Sequence, residues 1–181
     1  AFGEAFAEAM ATINSEASFK GLSLTSGHRD FCVGADIDFV YQTRDVGQLY
    51  ENLAALHASF RQLETSGKPV VAAINGNALG GGYEVALACH HRIAVARGGM
   101  KIGLPEVNFG LIPGGGGCQR LSRLIGLQPS LEVIAQGQML RPEKALKKGL
   151  IDAIAEDQSA MLNSAADWIR ANPRAKQPWD V

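Results

Sequence analysis

Lys68-Pro-Val-Val-Ala-Ala-Ile-Asn-Gly-Asn-Ala-Leu-Gly-Gly-Gly-Tyr-Glu84 is the stretch on which the fold turns. Its first part, Pro69 to Ile74, is a continuous apolar run, the pattern of a strand buried on both faces of a sheet. Three consecutive glycines follow, and residues 82–89 read as a helix. A strand thus runs through a glycine turn into a helix whose first N–H groups have no intrahelical partner and can face a ligand oxygen. Taken alone, this pattern fits plain turn geometry or a phosphate cradle as well as an oxyanion site. It matches neither the P-loop nor the full dinucleotide fingerprint.

Outward from this stretch, strands alternate with helices. Residues 2–16 carry Phe2, Phe6, Ala9, Met10 and Ile13 at helical spacing, and residues 46–65 carry Leu49, Leu53, Leu56, Phe60 and Leu63 in the same way. Leu22 to Thr25, His91 to Ala96, Lys101-Ile102 and Leu150 to Ile154 read as strands, and Ser26 to Ile37 as a loop. Helices are expected over Gly115 to Leu124, 129–136, a short segment started by Pro142, and 157–171. The alternation predicts an α/β fold with a largely parallel sheet flanked by helices.

The chain has 181 residues, enough for one domain with a substantial core. With 46% apolar and 19% charged residues and a net charge of −1, it has neither a disordered composition nor a basic surface for nucleic acid. No apolar run approaches the roughly 20 residues of a membrane helix. Cys32, Cys89 and Cys118 are far apart and odd in number, which argues against a disulfide framework or a zinc site and for a reducing compartment; a bacterial cytoplasm is expected ahead of a mitochondrial or peroxisomal setting. His90 and His91 are adjacent, so on a strand only one can face a given site; the expectation is a strand entry with one ring exposed.

Two glutamates stand out in glycine-rich, apolar surroundings: Glu84, and Glu106 in Gly103-Leu-Pro-Glu106, ahead of Ile112-Pro-Gly-Gly-Gly-Gly117. A carboxylate among apolar residues is costly unless solvated, paired or used. Two of them beside bare backbone amides point to acid/base chemistry at a site that stabilises negative charge. Each also has a plain reading, Glu84 as a helix-start carboxylate and Glu106 as a solvated loop residue. Gly34 and Ala35 permit close backbone approach, and Asp36 can orient that loop through local hydrogen bonds.

Three segments together, Phe31-Cys-Val-Gly-Ala-Asp-Ile37, Lys68 to Glu84, and Leu104-Pro-Glu-Val-Asn-Phe-Gly-Leu-Ile-Pro-Gly-Gly-Gly-Gly-Cys-Gln-Arg-Leu121, resemble the crotonase (enoyl-CoA hydratase/isomerase) family, in its order and spacing. The resemblance runs from about residue 2 to about 155 and implies the family's spiral of ββα units. It also implies an oxyanion hole from the N–H groups of Ala35 and Gly81 that grips an acyl-CoA thioester oxygen. Glu84 would be the base on water and Glu106 would supply the proton to the α-carbon of a trans-2-enoyl-CoA, in fatty-acid β-oxidation. Substrate contacts are expected at Gly34, Asp36, Ile37 and Leu79, and at Gly80, Tyr83, Pro105 and Gly114. Tyr83 can equally fill core, and the amides of Gly114 to Gly117 either place water or cap a helix. Gln119 and Arg120 match the family pattern and are expected to pack structurally.

The resemblance implies no metal and no cofactor beyond the coenzyme A carried by the substrate. Many relatives have Lys where this chain has Asp38, which leaves the CoA head group to other cations. The family's opening strands and C-terminal helical region are expected to be missing here. Residues 172–181 resemble the link in multifunctional enzymes between a hydratase domain, here 1–171, and an NAD-dependent 3-hydroxyacyl-CoA dehydrogenase. The expected partners are therefore an acyl-CoA and either a covalently linked dehydrogenase domain or further copies of the chain. Isomerisation of a 3-enoyl to a 2-enoyl thioester uses the same two carboxylates. A non-catalytic acyl-CoA-binding module and a nucleotide-binding domain are the competing readings.

Overall fold

The apolar run read as a two-faced strand is one: every residue from Val70 to Ile74 is buried. The structure, a computed structural model, describes residues 2–35 and 37–181. In chain order it contains helix α1 (Phe2–Ser15), strand β1 (Leu22–Leu24), helices α2 (Ile37–Gln42) and α3 (Val46–Thr65), and strands β2 (Val70–Ile74) and β3 (Ala78–Leu79). Helix α4 (Gly81–Leu87), strands β4 (His91–Val95) and β5 (Ile102–Gly103), and a 3-10 turn (Glu106–Phe109) follow. The chain continues through α5 (Gly117–Ile125), α6 (Leu127–Ala135), β6 (Met139–Leu140), α7 (Pro142–Lys148), β7 (Ala153–Ala155) and α8 (Gln158–Ala171).

Two sheets organise these elements. The larger is parallel throughout, in the order β1-β2-β4-β7, with Val71 opposite His91 and Ile93 opposite Ala153. Helix α8 packs across all four of its strands and α4 covers β2. Because β2 lies between two neighbours and under helices, its side chains are apolar on both faces. The smaller sheet, β3-β5-β6, pairs β3 with β5 in parallel and β5 with β6 antiparallel.

Helix boundaries follow local chemistry. Asp45 caps α3 by accepting from Gln48 N at 3.1 Å, and Asp157 caps α8 by accepting from Ala160 N at 2.8 Å. Pro142 opens α7 and Gly149, at φ 80°, closes it. Lys68 Nζ donates to the carbonyls of Ile13 and Glu16, tying down the C-terminal end of α1. His90 and His91 take different environments, but neither ring is exposed as expected, because Trp168 of α8 covers His91. His90 is buried, with Nδ1 accepting from Val70 N at 3.0 Å and Nε2 facing Glu64 O at 3.1 Å, while His91 stacks on Trp168 with centroids 4.6 Å apart. Those partners make Nε2 the protonated nitrogen, and burial lowers the His90 pKa, so the ring is neutral.

Four elements differ from the expectation. β3 and β6 have two residues each, too few to show an alternation, and exist because the smaller sheet pairs them. Hence β2 does not run directly into α4: the chain leaves one sheet at Ile74 and enters the other at Ala78. Residues 37–42 are helical, and Tyr41 Oη donates to Phe109 O at 2.5 Å, joining α2 to the 3-10 turn. The last strand spans Ala153–Ala155, because Leu150 and Ile151 are core residues of the turn before it.

Residues 172–181 fold back onto the domain. Gln177 is fully buried and its Nε2 donates to Leu87 O at 3.3 Å and Cys89 O at 3.1 Å, at the C-terminal end of α4. Asp180 accepts both terminal nitrogens of Arg61 at 2.7 Å. All three cysteines are free, and among the described residues no helix is long and apolar enough to cross a membrane.

Candidate active site

The smaller sheet builds the site. Leu79 N donates to Cys32 O at 3.0 Å and Cys32 N to Asn77 O at 3.1 Å, so the segment leading to Gly34-Ala35 lies along one side of β3. On the other side Ala78 N donates to Lys101 O and Gly80 N to Gly103 O, both at 3.0 Å, which brings up the segment leading to Glu106. Three distant pieces of chain thereby end at one place. Asparagines fasten them: Asn77 Nδ2 donates to Asp30 Oδ1 and Asn77 Oδ1 accepts from Lys101 N, each at 2.8 Å. Asn75 Nδ2 donates to His28 O at 2.8 Å. The orienting groups of the loop are thus Asp30, Asn75 and Asn77, while Asp36 lies outside the described residues.

Gly34 sits at φ 96° with its backbone against β3; a methyl group on it would lie 3.2 Å from Leu79 O and 3.3 Å from Gly81 N. A methyl on Gly81 would lie 3.8 Å from both Ala35 N and Glu84 Oε2. The amides of Ala35 and Gly81 therefore border one small space beside the Glu84 carboxylate. Gly81 opens α4, so its N–H has no intrahelical acceptor. A methyl on Gly80 would meet Glu106 Oε1 at 3.2 Å, which places the second glutamate at the same space. Leu79 and Gly80 border this space from β3 and its end, Pro105 directly precedes Glu106, and Ile37 begins α2 two residues after Ala35. Gly114 is at an exposed rim, its carbonyl accepting from His57 Nε2 at 2.8 Å.

Tyr83 is not brought to the site. It is fully buried and its hydroxyl donates to Leu150 O at 2.8 Å, because the residue before Glu84 on α4 turns into the core. Tyr83→Phe removes that bond and leaves a buried carbonyl unpaired, which costs about 1–2 kcal/mol. The melting temperature should fall by about 2–6 °C, with the KM for acyl-CoA unchanged. A KM change without a stability change would return Tyr83 to the substrate pocket.

The two carboxyls are held differently. Glu84 is 3% exposed, and its Oε1 accepts from Gly117 N at 2.8 Å. Burial raises its pKa, opposed by the N–H groups of Gly117 and Gly115, then by His57 and Arg120. The glycine run that leads into α5 thus cradles this carboxylate with the N–H groups of Gly115 and Gly117. A methyl on Gly115 would lie 2.7 Å from Glu84 Oε2, so glycine is what lets the loop close in. Glu106 Oε2 is buried with no hydrogen-bond partner among the described residues. Burial and the neighbouring Glu84 charge push the Glu106 pKa up to about 7. One proton on the coupled pair therefore belongs on Glu106, with Glu84, the carboxyl that has donors, ionised.

Sequence reasoning singled out the amides of Gly114 to Gly117 but not that those of Gly115 and Gly117 face Glu84, and it missed a buried ion pair behind them, Arg120 Nε to Glu64 Oε1 at 2.7 Å. The only signal was the glycine run followed by Gln119-Arg120; Gln119 is exposed and Arg120 is not.

The chain is similar to known proteins over nearly its whole length. Residues 2–177 match the family model described as enoyl-CoA hydratase/isomerase. The chain is 42% identical over 178 residues, 98% of its length, to the fatty acid oxidation complex subunit alpha of Shewanella baltica, and 42% identical over 174 residues to that of Shewanella halifaxensis. It spans about a quarter of the length of these curated relatives. Among solved structures, an enoyl-CoA hydratase from Geobacillus kaustophilus superposes with a TM-score of 0.87 at 31% identity, over 95% of this chain and 64% of that one. Another from Bacillus anthracis gives 0.84 at 32%, over 93% and 64%. Sheet topology, the two converging glutamates and these matches agree on a crotonase fold, and the chain belongs to the enoyl-CoA hydratase/isomerase family.

Proposed function

We propose that this chain hydrates trans-2-enoyl-CoA thioesters in fatty-acid oxidation. The observation that carries the reading is the pair of carboxyls at one space, one ionised and cradled by amides, the other raised to about 7 and unpartnered. The thioester oxygen is held by the N–H groups of Ala35 and Gly81. Glu84 takes a proton from water as its oxygen attacks the β-carbon, and the electron pair of the double bond moves to the thioester oxygen as an enolate. Preorganised amides at that oxygen lower the barrier. Glu106 then delivers its proton to the α-carbon, restoring the carbonyl. Atoms balance: water is consumed, and the two carboxyls exchange protonation until product leaves. Coenzyme A enters as part of the substrate, and the step calls for no further cofactor.

The same groups support isomerisation of a 3-enoyl to a 2-enoyl thioester, in which a carboxylate removes a proton from the α-carbon and returns one to the γ-carbon. The relatives' greater length supports a further covalently linked domain, for which a 3-hydroxyacyl-CoA dehydrogenase is our reading. The free cysteines and bacterial relatives support a cytoplasmic setting.

The test is loss of the conjugated enoyl-thioester absorbance with crotonyl-CoA; folded chain that binds acyl-CoA without turnover would instead make it a binding module. The pH dependence has a definite sign. Hydration needs Glu106 protonated, so the rate falls as pH rises through about 7. Stability moves the same way. A carboxyl whose folded pKa is raised above its unfolded value contributes stability that is complete below the unfolded value and lost as pH rises through the folded one. The melting temperature should therefore drop between about pH 5 and about pH 8, and Glu106→Gln should reduce that drop. An unchanged profile in the variant would remove Glu106 from this role.

A further inference from the structure

We propose that Arg120 is a positioning residue that sets the protonation of Glu84, and that Glu64 anchors it. Arg120 is 8% exposed and Glu64 5%, both far more buried than such residues ordinarily are. The Arg120 guanidinium spans two acceptors: Nε donates to Glu64 Oε1 at 2.7 Å and one terminal nitrogen donates to Gly115 O at 3.0 Å. Gly115 and Gly117 are the residues whose amides face Glu84. Arg120 thus holds the carbonyl of the same short loop whose N–H groups grip the carboxylate. Its positive charge favours the ionised form as well. A planar fork can bridge a carboxylate and a carbonyl in fixed geometry, whereas an ammonium cannot.

The anchor continues outward. Glu64 Oε2 accepts from Arg61 at 3.0 Å, and Arg61 forms a two-pronged pair with Asp180 in the folded-back C-terminal segment. The Arg61 guanidinium holds the Asp180 carboxyl below the ordinary carboxylate range. This outer pair is exposed, and exposed ion pairs are weak. The buried Arg120–Glu64 pair therefore dominates, and Asp180 only trims it.

Among the described residues, the charged or titratable groups acting with Glu84 besides Arg120 are His57 from α3, Glu106 from the 3-10 turn and Cys118 from α5. Glu106 carries the pair's proton while Glu84 is ionised, so the advantage of Glu84 rests chiefly on the Gly117 and Gly115 amides, whose loop Arg120 holds.

The inference rests on the reading of Glu84 as the ionised base, and its test does not depend on turnover. The 13C side-chain carboxyl resonances of the chain's glutamates are titrated, with Glu84 assigned by the signal lost in Glu84→Gln. Removing Arg120 alone would strand the Glu64 charge in the interior, so the main variant is the double Glu64→Gln/Arg120→Met, which removes both charges. We expect the Glu84 midpoint to rise by about one pH unit in the double variant, the scale of a lost neighbouring charge. Arg120→Lys keeps the charge without the fork and should shift the midpoint upward by less. Asp180→Asn should shift it least. A Glu84 midpoint that stays at the wild-type value in both Arg120 variants overturns the proposal. A midpoint that moves in a chain that does not hydrate crotonyl-CoA supports the positioning role while removing the hydratase reading. Hydration with an unmoved midpoint does the reverse.

Discussion

Replacing either Glu84 or Glu106 by Gln should lower hydration of crotonyl-CoA by about 10²–10⁴-fold, the range associated with a lost general acid or base. The two variants should differ in stability. Glu84 lies in a cradle of amides, and Gln at this position still offers an oxygen to Gly117 N but turns an NH₂ group toward the Gly115 amide. Donor facing donor destabilises, so Glu84→Gln should melt slightly below the parent chain. Glu106 carries a buried oxygen without a partner and an ionisation that burial opposes. Removing that charge should raise the melting temperature above about pH 7 while abolishing turnover. A dead but more stable Glu106→Gln is the pattern of a group retained for chemistry at a cost in stability. If Glu106→Gln hydrates at the parental rate, the two-carboxyl mechanism fails. Retained hydration with lost 3-enoyl isomerisation would assign Glu106 to the latter reaction alone.

Gly82→Ala should disable the enzyme by a different route. A methyl at Gly82 would lie 2.0 Å from Cys32 O and 2.5 Å from its carbonyl carbon. Both are backbone atoms held by Leu79 N and Asn77 O, so relief requires moving the segment by about an ångström. Ala35, three residues on, moves with it, and a displacement of that size in a reacting constellation costs on the order of 10²-fold in rate. Overpacking adds a destabilisation of about 1–3 kcal/mol. Gly98→Ala is the control: a methyl there meets nothing within 4 Å, and the change should stay within about 0.5 kcal/mol. Parental melting temperature and kcat in Gly82→Ala would contradict the close approach of α4 to the Cys32 segment.

The glycine triplet shows why part of the site could not be read from the sequence. Gly80, Gly81 and Gly82 look alike as letters, and all three fit a bare turn. In the structure Gly80 adopts φ 54° beside Glu106, Gly81 offers an amide beside Ala35, and Gly82 admits the Cys32 backbone. Each reason involves a segment at least twenty residues away in sequence. The same holds for Tyr83, whose neighbours on α4 border the candidate site but whose ring faces the core.

Local and periodic features of the chain were enough for the rest. The apolar run at Val70–Ile74 determined a strand covered on both faces, and its alternation with helical segments pointed to a parallel sheet, the usual setting in which helices cover both sides of a strand. Helical spacing determined α1, α3 and α8, and Pro142 the start of α7. The motif resemblance singled out Glu84 and Glu106. Tertiary structure alone decided that two-residue strands draw Gly34-Ala35, Gly80-Gly81 and Glu106 to one point, since strands that short form only when neighbours pair them. It alone also supplied the physical reason for Glu84 as the ionised member, which the resemblance had implied: amides from α5 and the depth of burial, neither of which is written in the residues beside Glu84.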